Sequence, residues 1–289
     1  MHYVTDVELY NDQVLIVESW QQFQELISGP RFRSWAFRGQ GNSKWPLFSA
    51  LSRHLRDYKI NKDAWSFQEQ RILRIFRRKA NLFLQHVPTD DDVFQWLALM
   101  QHHGAPTRLL DFTWSPFVAA FFALEKATTD CAVWGVKFPE LWNVNHTFPE
   151  EQSPMRAPEP RTQKNYEKFF LWNTVPFVAT GEPFDMSQRL IAQSGTFVIP
   201  GVIDRPVETI LAAYPKPTET LVKFVLRTST VRDDAMVNLY NMNITNATLF
   251  PGLDGMARSL AYELEFHWGF NPKTMENIPG YQLVGNGDN

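Results

Sequence analysis

With 289 residues, 44% of them hydrophobic and 14% aromatic, the chain has ample material for a large core and is expected to fold as one α+β domain of helices and short mixed strands. A formal charge of −3 excludes bulk attraction to nucleic acid or anionic lipid, so any phosphate recognition must come from local clusters. The single cysteine, Cys131, excludes an internal disulfide framework. No apolar run approaches about 18 residues and the first residues lack an apolar core of about 7–15, so a cytoplasmic protein with no membrane partner is expected.

Along the chain, Trp20, Phe23, Leu26 and Ile27 recur at helical intervals until Gly29-Pro30 stops them. Trp35-Ala36-Phe37 reads as a short strand. The glycines that follow suggest a tight turn exposing Arg38 and Gln40. A helix is expected over 63–86, with Trp65, Ile72, Leu73, Ile75, Phe76, Leu82 and Phe83 supplying its apolar positions. Its basic run of Arg71, Arg74, Arg77, Arg78 and Lys79 reads as a solvated face. Asp90-Asp91-Asp92 can cap a helix over 93–103, which Gly104 ends. Ser115 as cap and Pro116 at the first helical position start another, running to about residue 128.

Residues 131–138 then read as a strand, and the proline-rich stretch 139–162 as an irregular loop. Strand ends are expected at 175–178 and 193–199, and a half-buried strand over 221–227. Helices follow at 233–242 and 253–264, the latter with Gly252 before it and Asp254 as its cap. A loosely ordered Gly/Pro/Asn tail closes the chain. No internal repeat is present.

The stretch 99–123 stands out because it sets Gln101, His102, His103, Thr107, Arg108, Asp111 and Thr113 between apolar runs that should be buried. Together with Phe37-Arg38-Gly39-Gln40 and with Arg189 through Phe197, it forms three blocks in the order found in the FRG-domain family, which the sequence resembles over residues 14–197. The segment Leu249-Phe250-Pro251-Gly252-Leu253-Asp254-Gly255 resembles the family's usual ending. On this resemblance the whole chain, 1–289, is one FRG-type domain. A strand ending in Phe-Arg-Gly, a later Ser-Gly-Thr-Phe strand and a late acidic pair also resemble ADP-ribosyltransferases of the toxin and phage-defence type.

That second resemblance implies NAD as substrate, a macromolecular acceptor that is RNA or protein, and an antitoxin protein as partner. It implies a catalytic set of Arg38 with Glu265 or Asp111. Such enzymes cleave a glycosidic bond through a transition state with oxocarbenium character, which rewards electrostatic positioning. Arg38, Gly39, Gln40, Gln101, His102, Thr107, Arg108, Ser194, Thr196 and Phe197 are the implied cofactor-binding residues, with Phe197 as the aromatic face for nicotinamide.

Plainer roles stand beside each. Arg38 could tie a turn to a carboxylate; Asp111 could pair with Arg108 or cap the next turn; Gln101 and His102 could satisfy helix-end carbonyls. Thr107-Arg108 could anchor the loop, and Glu263 and Glu265 could be solvated helix-end acids. No metal-ligand spacing is present, so no metal is expected. The alternatives to a transferase are a non-catalytic nucleotide- or phosphate-binding module and a metal-independent nuclease.

Overall fold

Apolar segments rich in Val, Phe and Trp pair into a seven-stranded sheet in a computed structural model of the chain, which describes residues 13–162, 164–267 and 269–278. The elements run in the order β1 (Val14–Val17), α1 (Trp20–Ser28), β2 (Trp35–Gln40), α2 (Ala50–Asp57), α3 (Trp65–Ala80), α4 (Val93–His102), β3 (Leu110–Thr113) and α5 (Pro116–Leu124). Next come β4 (Cys131–Lys137), α6 (Phe138–Trp142), β5 (Asn145–His146), β6 (Met155–Arg156), β7 (Val178–Gly181), α7 (Gln188–Ala192) and β8 (Gly195–Pro200). The described chain ends through α8 (Val207–Ala212), α9 (Pro217–Thr220), β9 (Leu221–Leu226), α10 (Thr228–Asn241), α11 (Asn246–Leu249) and α12 (Leu253–Glu265). The class is α+β, as the composition and patterning predict.

The main sheet has the order β1-β9-β4-β2-β3-β8-β7. Only β1 and β9 run parallel; the other neighbours are antiparallel. Central β4 is buried on both faces from Cys131 to Val136, which is why its sequence is apolar there rather than alternating, with charge only at Lys137 where it ends. One apolar cluster packs α1, α5 and α10 against Trp35, Phe37, Val133 and Phe224. A second joins α4 and the Tyr166–Phe170 turn to Phe197 and Ile199 of β8. A third covers Trp134, Leu110, Phe112 and Val198 with α6 and α8.

Several boundaries differ from expectation for identifiable reasons. Arg38, Gly39 and Gln40 lie inside β2, not in a turn, because β4 offers a ladder along the whole strand from Trp35↔Lys137 to Gln40↔Ala132. A Cβ at Gly39 would stand 2.0 Å from the Ala119 carbonyl oxygen and 2.6 Å from the Ala123 nitrogen. This glycine therefore serves the close approach of α5 to the strand, not backbone reversal. Helix α3 stops at Ala80, and Leu82 and Phe83, read as apolar positions of that helix, are exposed. Helix α5 ends at Leu124 and α10 begins earlier than expected, at Thr228.

Strand β7 starts at Val178 and β8 at Gly195; Ser194 sits in the preceding turn at φ 46°. The stretch 139–162 is not wholly irregular, since it finishes α6 and carries the β5–β6 pair. Asp254 lies in the first turn of α12, whose cap is Gly252 at φ 117°. Helices α2 and α8 were not expected at all. The N-terminal residues and most of the Gly/Pro/Asn tail lie outside the described residues.

Candidate functional site

Strands β2 and β3 share a single register pair, Phe37↔Thr113, whereas β2 stays paired with β4, and β3 with β8, along their full lengths. The sheet therefore opens just beyond Phe37. The opening is a cleft of about 600 Å³, within the range of about 300–1,000 Å³ usual for small-molecule sites. Arg38 through Gly41 line one side and Asp111 through Thr113 the other.

Arg38 spans the gap. Its Nη1 donates to the Asp111 carbonyl oxygen at 2.6 Å and lies 3.9 Å from Asp111 Oδ2, while its buried Nε has no protein partner. Burial lowers the pKa of the guanidinium, Asp111 partly restores it, and Arg53 opposes it by repulsion. Asp111 is held from the other side by Gln101, whose Nε2 donates to Oδ2 at 2.9 Å. Gln101 Oε1 in turn accepts the Thr107 hydroxyl at 2.6 Å, and that hydroxyl accepts the Leu109 N–H. The polar loop is thus a bracket that fixes one carboxylate, whose side chain stays half exposed, beside one arginine.

Trp45 and Arg189 also line the cleft, together with Pro46, Phe48, Arg53 and Arg56, which sequence reasoning missed. Four arginines and two aspartates, Asp57 and Asp111, line the cleft, so its lining is more basic than the chain as a whole, whose net charge is −3. Arg53 Nη1 donates to the Phe48 carbonyl, the Arg56 guanidinium lies 4.0 Å from the Phe48 ring centroid, and that of Arg189 lies 4.7 Å from the Phe250 ring. Trp45 is 50% exposed at the rim. A signal for Arg53 and Arg56 was present: Ser49 caps α2, and Leu51 and Leu55 mark its buried face. A side pocket lined by Gln95, Gln101, His102 and Ser187 shares Asp111, Arg189 and Gln193 with the cleft. Burial, His103 and Arg189 all lower the His102 pKa and favour its neutral imidazole.

The structure does not bring the other expected residues to the cleft in the roles assigned. Arg108 is fully buried and paired with Glu69, not Asp111: its Nε and Nη2 donate to the two carboxylate oxygens, and Nη1 donates to the carbonyls of Pro200 and Gly201. It fastens α3 to the end of β8. Thr107 is buried under Gln101, and Gln40 bridges the Trp134 indole and the Pro46 carbonyl. Thr196 is buried against the Gly181 carbonyl, and Ser194 does not line the cleft. Phe197 is core, packed edge-on against Phe94, and reaches only the side pocket.

Glu265 is bound to Arg232 at 2.6 Å, and Glu263 accepts the Tyr240 hydroxyl. The pockets these acids line share no residue with the cleft. The E-x-E spacing is that of a helix end clamped to its neighbour α10.

The FRG-domain model matches residues 33–131, about one third of the chain. No curated protein and no solved structure matches it. The matched segment contains Arg38, Gln101, Thr107, Arg108 and Asp111, and ends before the Ser194–Phe197 block that the resemblance was expected to include. Among the described residues no helix is long and apolar enough to cross a membrane.

Proposed function

We propose that the FRG segment, residues 33–131, builds an NAD site in the β2–β3 cleft and that the protein transfers the ADP-ribosyl group of NAD to a macromolecular acceptor, RNA or protein. The observation that carries this reading is the meeting of Arg38 and Asp111 across the opening in the sheet, in a cleft lined by four arginines. Arg38, Arg53, Arg56 and Arg189 supply charge for a pyrophosphate, and guanidinium forks suit its oxygens. Exposed Trp45 offers a flat face for a base or for nicotinamide, the part first assigned to Phe197.

In the transfer, the bond from ribose C1′ to the nicotinamide nitrogen breaks and its electron pair leaves with nicotinamide. The acceptor's nucleophile then bonds C1′ and releases its proton. Positive charge gathers on the ribose between these events, and a fixed carboxylate stabilises it. Asp111 is the group for that task because Gln101 and Arg38 hold it at the cleft while half its side chain stays open to a ligand. Glu265 is committed to Arg232 elsewhere.

A second reading, a nucleotide-binding module without chemistry, is favoured by the same absence of the E-x-E pair from the cleft. Labelled NAD incubated with protein and lysate separates the two. Transfer predicts label on a macromolecule and free nicotinamide, both lost in Arg38→Ala and both strongly reduced in Asp111→Asn. Saturable NAD binding with no nicotinamide released leaves the module, and no binding by folded protein removes both readings.

A further inference from the structure

Helix α3 spends its apolar face on the core, through Trp65, Leu73 and Ala80, and one polar residue of that helix, Glu69, is buried with Arg108. Its opposite face carries a stripe with no structural employment. Phe67, Arg71, Arg74 and Arg78 follow one another at intervals of four, three and four residues and therefore share one side of the helix. All four are exposed, Phe67 by 68%.

In the last turn of the helix Lys79 is exposed, and just beyond it Leu82 and Phe83 stand out by 83% and 85%. Among the described residues none of Arg71, Arg74, Arg78 and Lys79 enters an ion pair. Arg71 reaches only Gln68, a neutral side chain, at 3.4 Å. Arg77 lies off the stripe, over the Trp96 ring at 5.7 Å and in the field of Asp90, Asp91, Asp92 and Glu167.

We propose that this face of α3, with the Leu82–Phe83 turn, is a docking surface for single-stranded nucleic acid. Three guanidinium groups spread over roughly 10 Å of helix make a line of phosphate contacts, and their planar forks match phosphate oxygens. Phe67 on the stripe and Phe83 in the turn after the helix are exposed aromatic side chains of the kind on which bases stack, the usual companion of a basic track in strand binding. A lipid surface fits less well. A helix lying in a membrane interface needs an apolar face along its length, and that face of α3 is already buried, leaving charge at the centre and apolar groups only at the ends. The surface is independent of any chemistry in the β2–β3 cleft.

Fluorescence anisotropy of the full chain with labelled oligouridylate and oligothymidylate tests the proposal. Both should bind, and the logarithm of affinity should fall against that of salt with a slope of about −2, three contacts at about 0.7 each. The exposed reversals Arg74→Glu and Arg78→Glu together should weaken binding by at least about tenfold and flatten the slope. Phe83→Ala should cost about tenfold with the slope unchanged, because stacking releases no counterions. All variants should keep the wild-type circular dichroism and melting temperature. Absence of oligonucleotide binding, binding that the reversals leave intact, or binding only to vesicles of phosphatidylcholine and phosphatidylserine would each overturn the assignment.

Discussion

Arg108 stands in the polar run that most clearly marks this sequence, yet it is buried with its charge spent on Glu69, and this has a measurable consequence. In Arg108→Met the methionine fills much of the space, but the Glu69 carboxylate is left fully buried and alone. Removing one partner of such a pair costs about 3–5 kcal/mol. The carbonyls of Pro200 and Gly201 lose a donor at the same time. Against a total stability of about 5–15 kcal/mol the loss is large, and at roughly 2–4 °C per kcal/mol it lowers the melting temperature by roughly 6–20 °C.

The double variant Glu69→Leu with Arg108→Met removes both charges and should recover most of that loss, short of the two carbonyl bonds. Differential scanning calorimetry gives the stability and titration of NAD below the melting transition gives the affinity. If Arg108 is architecture, the single variant melts early and, while folded, binds as the wild type does. A variant that melts at the wild-type temperature and loses NAD would refute the reasoning and return Arg108 to the ligand site.

Three other substitutions bear on the cleft and its supports. Gly39→Ala drives a methyl into the α5 backbone at Ala119 and Ala123 and should cost about 3 kcal/mol, read from the urea midpoint; an unchanged midpoint would mean that α5 yields freely. Gln101→Ala strips the Thr107 hydroxyl and Asp111 Oδ2 of their shared partner, so stability should fall by about 1–3 kcal/mol and NAD affinity with it, as chemical denaturation and calorimetric titration would show. Glu208, buried and accepting the Leu47 N–H, has its pKa pushed up from the ordinary carboxylate value of 4.5 to about 7 by burial. The folded state then holds a proton that the unfolded chain releases between pH 4.5 and 7, so stability falls as pH rises through that window, by about 3 kcal/mol in all. Urea denaturation across that range should show this slope in the wild type and not in Glu208→Gln; a slope common to both would assign it elsewhere.

Local chemistry made much of the frame legible. Asp92 and Ser115 cap α4 and α5, and Pro116 occupies the first turn of α5, because these residues act on backbone groups within the first turn. The strands β4 and β9 announced themselves by composition. What the sequence withheld depends on distant neighbours. The glycine of Phe-Arg-Gly looked like a turn former, and only the arrival of α5 shows that it is a contact surface. Leu82 and Phe83 looked like core by residue type and stand in solvent.

The candidate site was half legible for the same reason. Arg38, Asp111 and Gln101 could be picked out because charged and amide side chains between apolar runs need partners, and they do find one another. Arg108 and Thr107 satisfied the identical criterion and turned out to be internal fastenings. Residue type therefore marks a polar group that must be compensated, without saying whether protein or ligand compensates it. The distinction lies in pairing: Arg108 meets a carboxylate with both forks and two carbonyls besides, while Arg38 keeps a buried Nε unpaired beside an open cleft. An unpaired buried donor costs stability unless something else accepts from it. Its persistence where two strands part is the physical ground for proposing an anionic ligand there and not around Arg108.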